Sequence, residues 1–293
     1  MPDLASRSVP PGDTPFFVMQ NHGAGSRLPL RSGTVVLSKL KGGRSAIDAL
    51  APSVKFVLAG EEVYSIAGRT RRVMPGEFLL VEAGTAFEVR TPRPDETVGL
   101  CVYLAASPAA EAGAEALPLP PVLRGSPLAP LATTLARYAR LLAERPAAGP
   151  ALARRIVQEV SVEAEDYLTV FSRRLERLSP VKASTRIETL QRIERARSFI
   201  HAAAHRCLTL DEIAAHAALS RFHLTRSFAE AFDVPPLAYH RRLRLEEAAR
   251  LLRAETAGAS EIAAQLGYTS PSAFTRAFRQ HFGVPPSRVG RSA

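Results

Sequence analysis

The chain has no tryptophan, only three methionines, and only two cysteines, Cys101 and Cys207. The cysteines fall in what we predict to be different domains, so we expect no structural disulfide and a reducing compartment, which favours the cytoplasm. No apolar run approaches 18 residues, so we expect no membrane span and no membrane partner. The first 15 residues contain prolines but no apolar h-region, and we therefore expect no secretory signal.

Histidine is scarce in the first 200 residues, where His22 stands alone. Phosphate-binding glycine loops, the G-x-S-x-G motif and the Rossmann glycine set are also missing. The acidic pairs Asp211-Glu212 and Glu246-Glu247 fit helix caps and surface charges better than a catalytic pair. We therefore predict that the protein is not an enzyme and needs no cofactor.

Positive charge is abundant, and it comes almost entirely from arginine. The 293 residues carry 38 Lys+Arg, of which four are lysine, against 28 Asp+Glu, a net charge of +10. Residues 185–293 alone hold 16 arginines against 10 acids, together with six of the seven histidines. A basic excess of this kind favours a polyanionic partner such as nucleic acid, although a general bias towards arginine would produce it too.

The length predicts about two domains, and the pattern changes along the chain in agreement with that. Short apolar or alternating runs at 54–58, 63–66, 78–81 and 98–104, separated by glycine turns, predict a β-sandwich or β-barrel. Six prolines between 108 and 130 predict a linker or irregular segment over 105–130. Amphipathic helices follow over 131–180, and two interpretations remain open for them: they pair two chains, or they pack on the β-domain.

An internal repeat is the most specific feature of the sequence. Residues 220–236 match residues 270–286 at an offset of 50, with Ser, Thr-Arg, both Phe and Val-Pro-Pro in common. Ile-Ala-Ala precedes each copy, at 213–215 and 262–264. Each copy fits a helix, a tight turn and a second helix that starts at Ser220 or Ser270. This arrangement predicts two helix-turn-helix units whose second helices enter the major groove of DNA, whereas a plain helical bundle with solvated arginines is the competing interpretation.

These residues resemble the DNA-binding domain of the AraC/XylS family of transcriptional regulators. The similarity covers 185–290, about a third of the chain, and is strongest in the second unit, from Ile262-Ala-Ala-Gln-Leu-Gly-Tyr to Phe282-Gly-Val-Pro-Pro. The sequence departs from the family pattern at three positions, where Ala218 and Asp233 replace glycines and Val289 replaces an aromatic residue.

The resemblance implies which side chains contact DNA. In the first unit they are Phe222, Thr225 and Arg226, and in the second they are Ser272, Thr275 and Arg276. Arg221 and Arg279 complete the set of DNA-binding residues. We expect Arg241 and Arg244, in the connector between the units, to face phosphate or solvent.

The N-terminal half resembles, less specifically, the cupin-like sensor domain found in this family, through the stretches 60–68 and 73–81. A metal-dependent cupin enzyme needs a histidine cluster, which is lacking there because His22 is alone. His201, His205 and Cys207 have a spacing compatible with a metal site, but the segment lies where a helix ends, so we interpret them as ordinary side chains. Cys101, in a strand pattern, fits a buried apolar role.

Together these observations predict an α+β multidomain protein. It would have a cupin-like β-barrel sensor domain at 1–110, a linker and helical dimerisation segment at 111–183, and an all-α domain with two helix-turn-helix units at 184–293. We expect a cytoplasmic, homodimeric regulator that binds double-stranded DNA, RNA polymerase and a small-molecule effector. The alternatives are a cupin-type enzyme with autoregulatory DNA binding and a DNA-binding protein without an effector.

Overall fold

The computed structural model of the chain describes residues 15–20, 31–66, 68–92, 95–105, 122–179, 182–254 and 257–289. His22 and residues 106–121 of the predicted linker lie outside these ranges. The chain divides into two compact units, Met1–Ser172 and Arg173–Ala293. The domain boundaries at 110 and 183 stay a prediction.

The first unit contains two β-sheets. Its strands are β1 (Phe16–Met19), β2 (Val35–Leu40), β3 (Gly43–Ala49), β4 (Ser53–Ala59), β5 (Glu62–Ile66), β6 (Arg69–Val73), β7 (Phe78–Val81), β8 (Thr85–Thr91), β9 (Thr97–Tyr103) and β10 (Val122–Arg124). One sheet has the order β1-β2-β9-β4-β7-β10 and the other has the order β3-β8-β5-β6. All four runs predicted from the sequence are strands, at β4, β5, β7 and β9.

The two sheets share a hydrophobic core. Val57 and Leu79 of the six-stranded sheet pack in one cluster with Tyr64, Phe87 and Val89 of the four-stranded sheet. Among the described strands the pairing leaves both sheets open, so they form the sandwich of the two architectures that the pattern allowed, without closure into a barrel. β10 pairs antiparallel with β7, and the segment 122–124 is therefore a strand where the prolines predicted an irregular linker.

The helices begin after β10. They are α1 (Pro130–Glu144), α2 (Gly149–Arg177), α3 (Ala183–Ala202), α4 (Leu210–Ala217), α5 (Arg221–Phe232), α6 (Pro236–Arg253), α7 (Ala259–Gln265) and α8 (Pro271–Phe282), with short 3-10 turns at Pro146–Ala148 and Pro286–Arg288. α1 packs on β2, β4 and β9 with its predicted apolar face, Leu131, Leu135, Tyr138 and Leu142, buried. For α1, packing on the β-domain is therefore the interpretation that holds.

The described part of the second unit is entirely helical, as the sequence predicts. The helices form two pairs, α4 with α5 and α7 with α8, and α3 packs on both helices of the first pair. In the second pair a buried core combines Ile262 and Ala263 of α7 with Phe274 and Phe278 of α8. α6 joins the pairs, and through Leu245 and its neighbours it contributes to this core. This arrangement turns one face of α5 and one face of α8 outwards.

Candidate nucleic-acid interface

The first helix-turn-helix unit begins at a capping box. Thr209 Oγ1 accepts a hydrogen bond from the Glu212 backbone N–H at 3.2 Å, and a Glu212 carboxylate oxygen accepts one from the Thr209 N–H at 2.7 Å. These bonds satisfy two backbone donors that have no partner inside the helix, so they fix where α4 starts. Arg206 adds an ion pair with Glu212 at 2.8 Å.

The turn between α4 and α5 requires a left-handed residue. Ala218 takes that conformation, with φ of 53°, at the position where the family pattern has glycine. Ser220 then caps α5, since its Oγ accepts a hydrogen bond from the His223 N–H at 3.2 Å. Ala218 therefore places a Cβ in a backbone region that favours glycine.

The exposed face of α5 carries the predicted first set of DNA-contacting residues. Phe222 is 78% exposed, the highest value among the exposed large hydrophobic residues of the described chain. Arg226 is also exposed, Thr225 is half-buried, and Arg221 pairs with Asp211 at 3.2 Å. On the opposite face Leu224 and Phe228 are fully buried. Packing of the buried face therefore presents the predicted residues to solvent.

The second helix-turn-helix unit, α7 and α8, is built in the same way. Gly267 has φ of 71° in the turn, and Ser270 Oγ accepts a hydrogen bond from the Ala273 N–H at 3.2 Å. Pro271 stands in the first turn of α8, where its missing N–H costs no hydrogen bond. Phe274 and Phe278 are buried, so the predicted orientation of α8 is confirmed.

The four predicted residues of the second unit lie together. Ser272, Thr275, Arg276 and Arg279 line an open depression of about 860 Å³ on α8, with Pro271 and Gln280 beside them. The depression combines hydroxyl groups with two guanidinium groups. Such a surface can donate to phosphate oxygens and to acceptors on base edges.

Arg244 is not where the sequence predicts it. The residue is only 8% exposed, its guanidinium donates a hydrogen bond to the Leu266 carbonyl, and it stacks 4.4 Å from the centre of the Tyr268 ring. The expectation that Arg244 faces phosphate or solvent is therefore wrong, because the turn of the second unit offers it a carbonyl and an aromatic face. Arg241 is exposed, as expected.

Three histidines of this region add little positive charge to it. Burial lowers the pKa of His201, His216 and His240, so these three side chains are neutral at pH 7. His201 Nε2 lies 2.7 Å from the Tyr239 hydroxyl, and Cys207 donates its S–H to the Gly267 carbonyl. Within the described ranges no three His, Cys, Asp or Glu residues are grouped so as to hold a metal ion.

Two contacts of Arg226 at this surface were not predicted from the sequence. Arg226 bonds to Glu230, four residues further along α5, and to Ser179, which lies between α2 and α3. The spacing to Glu230 was visible as an i, i+4 pair. The bond to Ser179 joins residues 47 apart, and no local pattern announces it.

Cys101 lies in the N-terminal β-domain. Burial raises the pKa of the Cys101 thiol to about 11, which keeps the thiol protonated and unreactive.

Among the helices in the described part of the chain, none is long and apolar enough to cross a membrane.

The comparison with known proteins agrees with the geometry of the two helix-turn-helix units. Residues 213–292 match the model of a helix-turn-helix domain family. The chain is 34% identical over 79 residues to the HTH-type transcriptional regulator GbdR of Pseudomonas aeruginosa, which covers 27% of this chain and 22% of GbdR. It is 34% identical over 80 residues to the HTH-type transcriptional activator AarP of Providencia stuartii, which covers 27% of this chain and 59% of AarP.

Among solved structures, the C-terminal domain of AraT, a response regulator from Geobacillus stearothermophilus, is similar with 28% identity and a TM-score of 0.33. That match covers 35% of this chain and 85% of the AraT chain. The curated matches span less than two thirds of the relatives' own length. Residues 213–292 therefore match a helix-turn-helix domain, and the relatives that share this region are named as transcriptional regulators.

Proposed function

We propose that the protein is a sequence-specific DNA-binding transcriptional regulator, and not an enzyme, that acts in the cytoplasm. The observation that carries this proposal is the pair of exposed recognition surfaces on α5 and α8, each with an arginine and a threonine at the same place of a repeated helix-turn-helix unit. A helical bundle that binds no DNA gives no physical reason for a threonine and an arginine at the same outward place in both units.

The connector supports contact with two grooves. α6 has 18 residues, and a helix of that length spans about 27 Å. Successive major grooves on one face of B-DNA lie about 34 Å apart. We therefore propose that one chain places α5 and α8 in neighbouring grooves and recognises two short half-sites about 10 bp apart.

Selection of binding sites from a random duplex pool tests the proposal with the full-length protein. The expected result is a motif with two parts separated by about one helical turn, bound with an affinity that falls steeply with salt because phosphates are contacted. A matched pool in single-stranded form serves as control. Recovery of no motif, together with equal affinity for selected and scrambled duplexes, would contradict the proposal.

For the N-terminal unit, Met1–Ser172, we propose a cupin-like sensor that binds a small polar effector without a metal. The support is a group of buried polar side chains between the sheets. Lys55 is 1% exposed and donates to the Tyr103 hydroxyl at 2.7 Å, while Glu62, 3% exposed, accepts from the Tyr64 hydroxyl at 2.5 Å. Buried charges are costly unless they are paired, and a ligand with a carboxylate or hydroxyl groups would add partners.

The effector proposal is tested by thermal denaturation in the presence of a panel of small carboxylic acids. At least one is expected to raise the melting temperature of the wild-type protein, and Lys55→Met is expected to abolish that rise. Elemental analysis should give less than about a tenth of an equivalent of transition metal, since no histidine cluster is available to hold one. Stoichiometric metal would contradict the metal-free sensor.

We further propose that the chain forms a homodimer through α2 and contacts RNA polymerase when bound to a promoter. The apolar face of α1 is buried against β2, β4 and β9 of the same chain, whereas α2 exposes Val162 and Val170. Sedimentation of the full chain at tens of micromolar should show a dimer, and Val162→Glu should shift it to monomer. A wild-type monomer at that concentration would contradict the pairing of chains.

A further inference from the structure

Arg226 is held in place by two groups. Its Nε donates to a carboxylate oxygen of Glu230 at 3.0 Å, and its Nη2 donates to Ser179 Oγ at 2.5 Å. Ser179 follows the end of α2, so it belongs neither to the region 213–292 that matches the helix-turn-helix family nor to the predicted domain at 184–293. A residue outside the helix-turn-helix units therefore contacts the first recognition surface.

Ser179 and Glu230 also bond to each other. The Ser179 backbone N–H donates to the second carboxylate oxygen of Glu230 at 3.2 Å, and the Ser179 hydroxyl donates to the first. An ion pair between Arg177 and Asp233 ties the same segment to the end of α5. Burial by itself raises the pKa of Glu230, but the hydrogen bonds from Ser179 and Arg226 outweigh it and lower the pKa. Glu230 is therefore ionised at neutral pH and can orient a guanidinium.

The donors of Arg226 that remain are those that base recognition uses. A guanidinium has five N–H donors, and these contacts take the Nε–H and one N–H of Nη2. Both N–H groups of Nη1 and one of Nη2 remain, which is the pair of nitrogens that can donate together to guanine O6 and N7. The side chain is thus fixed before binding without losing its bidentate edge, and fixing it in advance reduces the entropy lost on binding.

The second unit provides the contrast. Arg276 stands at the position equivalent to Arg226, and Gln280 stands where Glu230 would be. Arg276 is exposed, and among the residues that the structure describes none forms a hydrogen bond or an ion pair with its side chain. The fixing of Arg226 is therefore specific to the first unit.

We propose that Ser179 and Glu230 are positioning residues for Arg226, so that the segment at the end of α2 sharpens the sequence preference of the first recognition helix. The inference rests on the proposed function, since it assumes that Arg226 contacts a base. It assigns part of the recognition of DNA to a residue that lies before both helix-turn-helix units in the sequence.

The test uses full-length protein and the duplex selected by the wild type. Ser179→Ala and Glu230→Gln, the latter introducing the side chain that the second unit carries, are each expected to lower affinity for that duplex about threefold to tenfold. Both should also reduce discrimination at the base pair whose preference depends on Arg226. In an Arg226→Ala background neither change should have a further effect, because the group that they position is gone. Gln280→Ala is the matched control and should leave preference in the first half-site unchanged.

Loss of discrimination at one base pair separates positioning from a general loss of structure, which would weaken all sites equally. Higher affinity after Ser179→Ala would overturn the inference, because the contact would then be inhibitory. An effect of the same size in the Arg226→Ala background would overturn it too. If the wild type binds its selected site specifically and the two variants match it, only this inference fails. If the wild type shows no sequence-specific binding, the proposed function fails and takes this inference with it.

Discussion

The two helix-turn-helix units share their helix caps and buried residues and differ at several exposed positions. Ser220 and Ser270 cap their recognition helices in the same way, and each helix ends at a left-handed residue, Asp233 with φ of 63° and Gly283 with φ of 75°. The exposed faces differ, since Phe222 stands where the second unit has Ser272. The shared positions are those that cap, turn and pack the helices together with the Thr-Arg pair on the outward face, and several of the differing positions face solvent.

Under the proposed function, one fold therefore carries two different recognition surfaces. An exposed phenyl ring suits apolar contact with a thymine methyl group, whereas a serine hydroxyl suits hydrogen bonding to a base edge or phosphate. The two units should therefore respond alike to changes in their cores and differently to changes on their surfaces. The effects expected from such changes range from several kcal/mol in the cores to a small dependence on pH.

The cores should respond equally. Phe228→Ala and Phe278→Ala each remove a fully buried ring, and each is expected to lower the free energy of unfolding by about 3–5 kcal/mol. Urea denaturation followed by circular dichroism measures this, since the chain has no tryptophan. Phe222→Ala, at an exposed site, is the control and should change stability by less than about 0.5 kcal/mol. A large loss of unfolding free energy for only one of the two variants would contradict the equivalence of the two cores.

The arginines that contact the two turns should respond unequally. Arg192 donates to the Ala218 carbonyl at the surface, while the buried Arg244 donates to the Leu266 carbonyl in the second unit. Arg244→Ala is expected to cost about 1–3 kcal/mol of stability, because a buried acceptor loses its partner, and Arg192→Ala less than about 1 kcal/mol. The same denaturation assay compares them. Equal costs would show that burial of Arg244 adds nothing.

These outcomes separate what sequence could predict from what it could not. The capping box at Thr209, the helix starts at Ser220 and Ser270 and the buried phenylalanines depend on neighbours within four residues, so local patterns predict them. The burial of Arg244 depends on a carbonyl 22 residues away.

Two other features depend on partners still further away. β10 is a strand because β7 pairs with it across about 40 residues of chain, in spite of the prolines around it. The bond from Arg226 to Ser179 has the same long-range character. The contacts that no local pattern predicts are those in which a distant segment supplies the partner.

The turn of the first unit should be improved by glycine. Ala218 has a left-handed backbone, which costs a residue with a Cβ about 1 kcal/mol or more, so Ala218→Gly is expected to raise the free energy of unfolding by about 1 kcal/mol. Gly283→Ala, in the second unit, is expected to lower it by a similar amount. Thermal denaturation of both variants provides the measurement. A loss of stability in Ala218→Gly would contradict the strain at this turn.

The smallest effect concerns pH and is confined to the first unit, because α7 begins at Gly258 without a side-chain cap. The backbone hydrogen bond from Thr209, followed by those from Arg206 and the Thr209 hydroxyl, lowers the pKa of Glu212 from 4.5 to about 2. Since the folded pKa is below the unfolded one, this stabilisation is complete above pH 4.5 and is lost as the pH falls towards 2. Glu212→Gln should lack this dependence when melting temperatures are compared across that range. An identical pH profile for the variant and the wild type would contradict the role of the carboxylate.

The most direct test of the central claim is site selection with Arg226→Ala and Arg276→Ala in the full-length protein. Each change should lower affinity for the wild-type site by about 1–3 kcal/mol, and each should relax sequence preference only in its own half of the site. Arg241→Ala, at an exposed connector position, should weaken binding without altering preference. If Arg276→Ala left the preferred sequence intact while Arg226→Ala changed it, the second unit would merely grip the backbone, and recognition through two grooves would be wrong.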